Sequence, residues 1–102
     1  MWRDKNKREL IKMYIYENIK ILENTQKSKK DKKVSRRLIK EQVETLITKY
    51  LYVKITGTTE ELQDLEQDFK EITAMLKSYL DKLTPKTDNE IYKVYRNILF
   101  II

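Results

Sequence analysis

Between Leu62 and Leu83 the apolar residues Leu62, Leu65, Phe69, Ile72, Leu76, Tyr79 and Leu83 recur at alternating steps of three and four. At 3.6 residues per turn this spacing places all seven on one stripe of a helix. A strand would send neighbouring positions to opposite faces. A lone helix with such a stripe is marginal in water, so other helices must cover it. The chain has few breakers to prevent that: one glycine and one proline in 102 residues. Thr58 and Glu61 have the spacing of a capping box at the start of this helix, and Thr84-Pro85 stops it.

Three further helices follow from the same reasoning. Residues 3–26 carry Leu10, Ile11, Tyr14, Ile15, Ile19 and Leu22 on one face. The stretch Thr25 to Lys33 has no apolar residue and six charges, which predicts an exposed loop or frayed end. A second helix is expected over 35–56, with Ser35 as its N-cap and a face of Leu38, Ile39, Val43, Leu46, Ile47, Tyr50 and Leu51. Its end, YLYVKIT at 50–56, has strand-like composition but no partner strand, so helix is preferred. Gly57 sits where a left-handed C-cap would fall. The seam helix is expected over 59–83. A fourth helix over 88–102 opens on a second capping-box spacing, Thr87 and Glu90, and aligns Ile91, Tyr95, Ile98 and Ile102, with Val94 and Leu99 alongside. Four helices with short connections predict an all-α, antiparallel four-helix bundle, with residues 1–102 as a single helical domain. LIKMYIY at 10–16 is echoed by LITKYLY at 46–52, with Ile19 matching Ile55. Two helices meeting the same packing demand would produce such an echo, and a repeat array needs more copies.

Composition narrows the chemistry. The chain has no cysteine and no histidine. That removes disulfide scaffolds, Cys/His zinc sites and the usual Ser-His-Asp or Cys-His nucleophile systems. One glycine cannot build a glycine-rich phosphate loop. The expectation is a protein that is not an enzyme and uses no cofactor. Glu60, Glu61, Asp64, Glu66, Asp68 and Glu71 gather on the third helix, with Asp64 and Asp68 one turn apart. A metal is conceivable there, but a solvated acidic face is the simpler expectation. The longest apolar run, Ile98 to Ile102, is far short of the roughly 20 residues that span a bilayer. Charge within the first five residues and the lack of an apolar segment behind it predict no secretory signal.

The formal net charge is +6, unevenly placed. Residues 1–40 carry fourteen basic and five acidic side chains, whereas 57–83 carry three and seven. Lys27, Lys29, Lys30, Lys32, Lys33, Arg36 and Arg37 form a basic surface that could meet an anionic membrane or nucleic acid, or serve only solubility. No aromatic interleaving favours nucleic acid. Tyr16, Tyr52 and Tyr92 lie off the main seams. With Trp2 they are the aromatic candidates for a protein contact. The last five residues are apolar on every side, so that end is either buried or adhesive.

VSRRL at 34–38, QVETLITKYLYVKITGTT at 42–59, and the acidic amphipathic helix ending near Leu83 resemble the immunity proteins of class IIa (pediocin-like) bacteriocins, in particular the leucocin and enterocin A group. The resemblance covers residues 34–83. It implies a cytoplasmic, non-enzymatic protector of a bacteriocin producer, peripheral at the inner membrane face. The implied partner is the mannose-phosphotransferase permease with bound bacteriocin. It also places specificity in the C-terminal half, where Tyr92, Tyr95, Ile98, Leu99, Phe100, Ile101 and Ile102 are the candidate partner-binding residues. Two other readings remain open. One is a small phage, virus or plasmid accessory protein acting as adaptor or inhibitor, with the Leu62–Leu83 seam used for dimerisation. The other is a basic nucleic-acid-binding protein.

Overall fold

Four helices make up a computed structural model that describes residues 5–83 and 86–102. They are α1 (Lys5–Glu23), α2 (Lys29–Thr56), α3 (Thr59–Asp81) and α4 (Asn89–Ile101). No strand occurs among the described residues. The all-α four-helix bundle is therefore as expected, and YLYVKIT is helical. Trp2 and the Thr84-Pro85 stop lie outside the described residues.

Consecutive helices run antiparallel, but their arrangement is not a simple ring. α2 and α3 touch each other, and α1 and α4 each pack against both of them. α1 and α4 lie on opposite sides and do not touch among the described residues. Side-chain pairs show the directions. Arg8 meets Asp68 while Glu23 meets Lys82, so α1 runs parallel to α3. Arg36 meets Asp88 while Ile47 and Thr48 lie beside Phe100 and Ile101, so α2 runs parallel to α4. One end of the molecule thus gathers the α1–α2 and α3–α4 connections. The other holds the two-residue turn between α2 and α3.

The α3 seam is the centre of the core. Leu65, Phe69, Ile72 and Leu76 are fully buried, Tyr79 nearly so, and Leu62 and Leu83 pack at the margins. The Phe69 ring meets Tyr50 of α2 edge-on, with centroids 5.6 Å apart, a favoured aromatic geometry. Because this seam is covered within the chain, a dimer built on it would require the bundle to open.

The helix boundaries differ from the sequence reading in several places: α1 ends at Glu23 instead of 26 and α3 at Asp81 instead of 83, each closing in a turn. α2 begins at Lys29, not after Ser35. Ser28 is its N-cap, the hydroxyl accepting from the Asp31 N–H at 3.1 Å, and Ser35 is buried nearly two turns inside. Losing apolar residues is not losing helix: lysine is a good helix former, and Asp31 in the first turn suits the dipole. Gly57 is extended (φ −90°, ψ −178°), not left-handed. Its glycine answers a close approach instead. A Cβ there would lie 2.5 Å from Val53 Cγ1 and 2.9 Å from the Val53 carbonyl oxygen, which accepts the Gly57 N–H. α4 is capped by Asp88, whose Oδ1 accepts from the Ile91 N–H at 3.2 Å, and not by Thr87. The Thr58 cap of α3 is as expected, its hydroxyl accepting from the Glu61 N–H.

Candidate functional site

Two regions gather the candidate residues, one at each end of the α2–α4 pair. The first is apolar. α4 buries Ile91, Val94 and Ile98 against the core, with Tyr95 and Ile101 packed at the edge. Its last turn exposes Leu99 and Phe100 away from the core and Ile102 at the C-cap, one turn past Ile98, with Phe100 91% accessible. The apolar terminus is thus divided, buried on one side and exposed on the other. Ile98 is fully buried and is removed from the partner-binding set: at i+4 from Val94 and i+7 from Ile91 it falls on the core stripe. Tyr92 is exposed beneath the Arg96 guanidinium, and its hydroxyl accepts from Arg96 at 3.0 Å.

The apolar surface extends to a partner not foreseen from the sequence. A groove between α2 and α4 ends in a hollow of about 280 Å³ lined by Ile47, Thr48, Phe100 and Ile101 among others. One and two turns beyond Ile47, the same side of α2 carries Leu51 and Ile55, both exposed, Ile55 at 84%. Tyr52 adjoins them, also exposed. Apolar spacing alone assigns Leu51 to the core face, and the structure exposes it. The signal that separates it is the run Ile39, Val43, Leu46, Tyr50, Val53, a complete buried stripe that excludes 51 and 55.

The second region is basic. Lys27, Lys29, Lys30, Lys33 and Arg37 are exposed along the start of α2 and the turn before it, while Lys32 and Arg36 are half-buried. Arg37 reaches Glu41 only at 3.8 Å on the surface, worth little. Arg36 is different. Its Nε donates to Asp88 Oδ2 at 2.8 Å, and the Tyr79 hydroxyl donates to the same oxygen at 2.8 Å. Burial, then the Asp88 hydrogen bond, push the Tyr79 phenol up to about 12. The Asp88 hydrogen bond raises the Arg36 guanidinium as well. A cleft of about 550 Å³ opens beside this group, between the two connections.

The acidic face of α3 is not wholly solvated. Asp68 is 1% exposed and accepts from Arg8 Nε at 3.0 Å and Arg8 Nη2 at 3.1 Å. Lys12 Nζ lies 3.1 Å from Asp68 and 2.7 Å from Glu71. Burial alone would lower the Lys12 ammonium, but its bonds to Glu71, Glu9 and Asp68 outweigh it and the net shift is upward. The Asp68 hydrogen bond likewise raises Arg8. Asp68 stands between Leu65 and Ile72 at helical spacing, which is the signal that places it beside the core. With Asp64 also 3.8 Å from Arg8, the Asp64/Asp68 pair is held by cations. No group of metal-ligating side chains occurs among the described residues. No helix there is long and apolar enough to cross a membrane. Comparison with protein families, with curated proteins and with solved structures finds no match to this chain.

Proposed function

We propose that this chain is a non-enzymatic binding module that engages a protein partner through the exposed apolar side of α4 and the adjoining stripe of α2. The observation that carries the reading is Phe100, a large aromatic ring 91% accessible, flanked by Leu99 and Ile102. Apolar residues scattered singly on a surface are ordinary, but contiguous ones rimmed by polar groups mark interaction sites. Aromatic anchors of this kind dominate the energetics of protein contacts.

The resemblance over 34–83 supplies the specific form of the proposal. The module would confer immunity to a class IIa bacteriocin by docking on the cytoplasmic side of the permease once the bacteriocin is bound. Leu99, Phe100 and Ile102 would contact the complex directly, with Arg96 and Tyr92 about one and two turns earlier. The test is a killing assay. A strain sensitive to pediocin-like peptides, expressing the chain, is challenged with a panel of them. Selective survival against one or a few peptides is expected, lost in Phe100→Ser with the protein level unchanged. Full sensitivity to the panel with folded, expressed protein overturns the immunity form. An adaptor or inhibitor role would then be sought by crosslinking through Phe100.

A further inference from the structure

The cleft between the two connections is lined by six charged side chains, and the protein contact proposed above makes no use of it. Its walls bring together side chains far apart in sequence: Lys32 and Arg36 from α2, Lys82 just after α3, and Lys86 before α4. Two carboxylates share the cleft, Glu23 and Asp88, and both are already engaged. Asp88 holds Arg36 and the Tyr79 hydroxyl through one oxygen and caps α4 through the other. Glu23 accepts from Lys82 Nζ at 2.8 Å, and that hydrogen bond lowers the Glu23 carboxyl.

This leaves an imbalance. Lys32 and Lys86 form no ion pair among the described residues; both line the cleft, Lys32 half-buried and Lys86 exposed. Two ammonium groups lining one concavity without carboxylates of their own make its potential positive, which an anion entering it would relieve. Thr25 and Thr87 add exposed hydroxyls to the same lining, and Leu22, Leu83 and Tyr79 its less polar part. A volume of about 550 Å³ is in the range of small-ligand sites. Fourfold positive and twofold negative, the cleft matches an anion of about two charges with several oxygen acceptors. We propose that it binds a multiply charged phosphate group, with Lys32 and Lys86 as the two cations that recognise it and Thr87 as a hydroxyl donor. A free di- or polyphosphate and an anionic lipid headgroup share this chemistry.

The test uses the intact chain and two probes. Inorganic pyrophosphate is titrated by calorimetry, and sedimentation with phosphatidylglycerol vesicles is compared with phosphatidylcholine vesicles. Lys32→Gln/Lys86→Gln removes the two unpaired cations of the cleft. Lys30→Gln/Lys33→Gln removes the same charge from exposed positions on the same helix. The cleft variant is expected to lose about tenfold per lysine, as charge-assisted hydrogen bonds do, and the control less than about threefold. Lys86→Arg, which keeps the charge, should retain binding. Saturable pyrophosphate binding identifies a free phosphate as the source, and binding to phosphatidylglycerol alone identifies a headgroup. Equal losses in the two double variants overturn the proposal, because diffuse charge would then explain the binding. So does failure of both probes to bind at low ionic strength. Neither result depends on the killing assay, which reads a different surface.

Discussion

LIKMYIY in α1 and LITKYLY in α2 share most of their letters and bury different, adjacent sides. In α2, Leu46 and Tyr50 are in the core while Leu51 and, one turn on, Ile55 are exposed. In α1 the matching Leu10 and Tyr14 are exposed, and Ile15 and Ile19 are in the core. The stripe has turned by one residue, about 100°. Each segment offers two adjacent apolar stripes, and both satisfy helical periodicity. Neighbours make the choice. α2 lies in the middle, touching α1, α3 and α4, and its buried stripe continues from Ile39 to Val53. α1 lies at the side and touches only α2 and α3. Its interior therefore includes the polar edge of α3, where Lys12 meets Asp68. The equivalent position in α2 is Thr48, exposed and bonded only to its own helix.

The comparison can be broken most sharply at Asp68. Asp68→Ala removes the buried carboxylate shared by Arg8 and the Lys12 ammonium of the first heptapeptide, leaving Arg8 only the longer contact to Asp64 and Lys12 its bonds to Glu9 and Glu71, with no counterpart effect on the second. The expected cost is about 3–5 kcal/mol in urea unfolding, against less than about 1 for Asp64→Ala. Similar costs for the two would mean that α1 is not held by a buried charge. Next, Ile15→Ala should cost roughly 2–5 kcal/mol and Leu51→Ala under about 1, although the letters align. Reversal of that order would show the two stripes wrongly assigned.

The buried tyrosines sharpen the comparison through pH. Burial, then Glu66, raise the Tyr50 phenol, and Tyr79 is pushed up to about 12 from an ordinary value of 10. Their neutral forms are favoured in the folded chain, so their contribution is complete below pH 10. It is lost as pH rises through the folded values. Stability should decline between pH 10 and 12, and the decline should be shallower in Tyr79→Phe. That variant should also lose about 1–2 kcal/mol at neutral pH, with its hydrogen bond to Asp88. An equally steep alkaline decline in the variant would remove Tyr79 as its source. The smallest effect is expected for Ile55→Ser, within about 0.5 kcal/mol, because serine and isoleucine have similar helix propensity and little is buried there. A cost comparable to Ile15→Ala would place Ile55 in the core.

How much was readable in advance varies by region. The α3 stripe left one solution, since residues beside Leu65, Phe69 and Ile72 are polar on both flanks, and all three are buried as expected. The exposed aromatics Tyr16, Tyr52 and Tyr92 were legible because they fall outside every stripe. Ile98 was not separable from Leu99 and Phe100, since a run of apolar letters has no period to read. Lys29 to Lys33 suggested a loop because apolar spacing was the guide, and a solvated turn of lysines has none. The Arg8–Asp68 pair lies 60 residues apart, beyond any local rule. The cleft of Lys32 and Lys86 is likewise made by two distant connections meeting.

Periodicity, caps and the scarcity of breakers determined, from sequence alone, that the chain forms helices and that they bundle. Those are local properties of spacing and hydrogen-bonding groups, complete within a few turns. Tertiary structure alone decided which of two adjacent stripes each helix turns inward, which carboxylate is buried, and which lysines are left without a partner. Burial and charge pairing depend on what stands opposite a residue, and in this chain what stands opposite is supplied by a different helix.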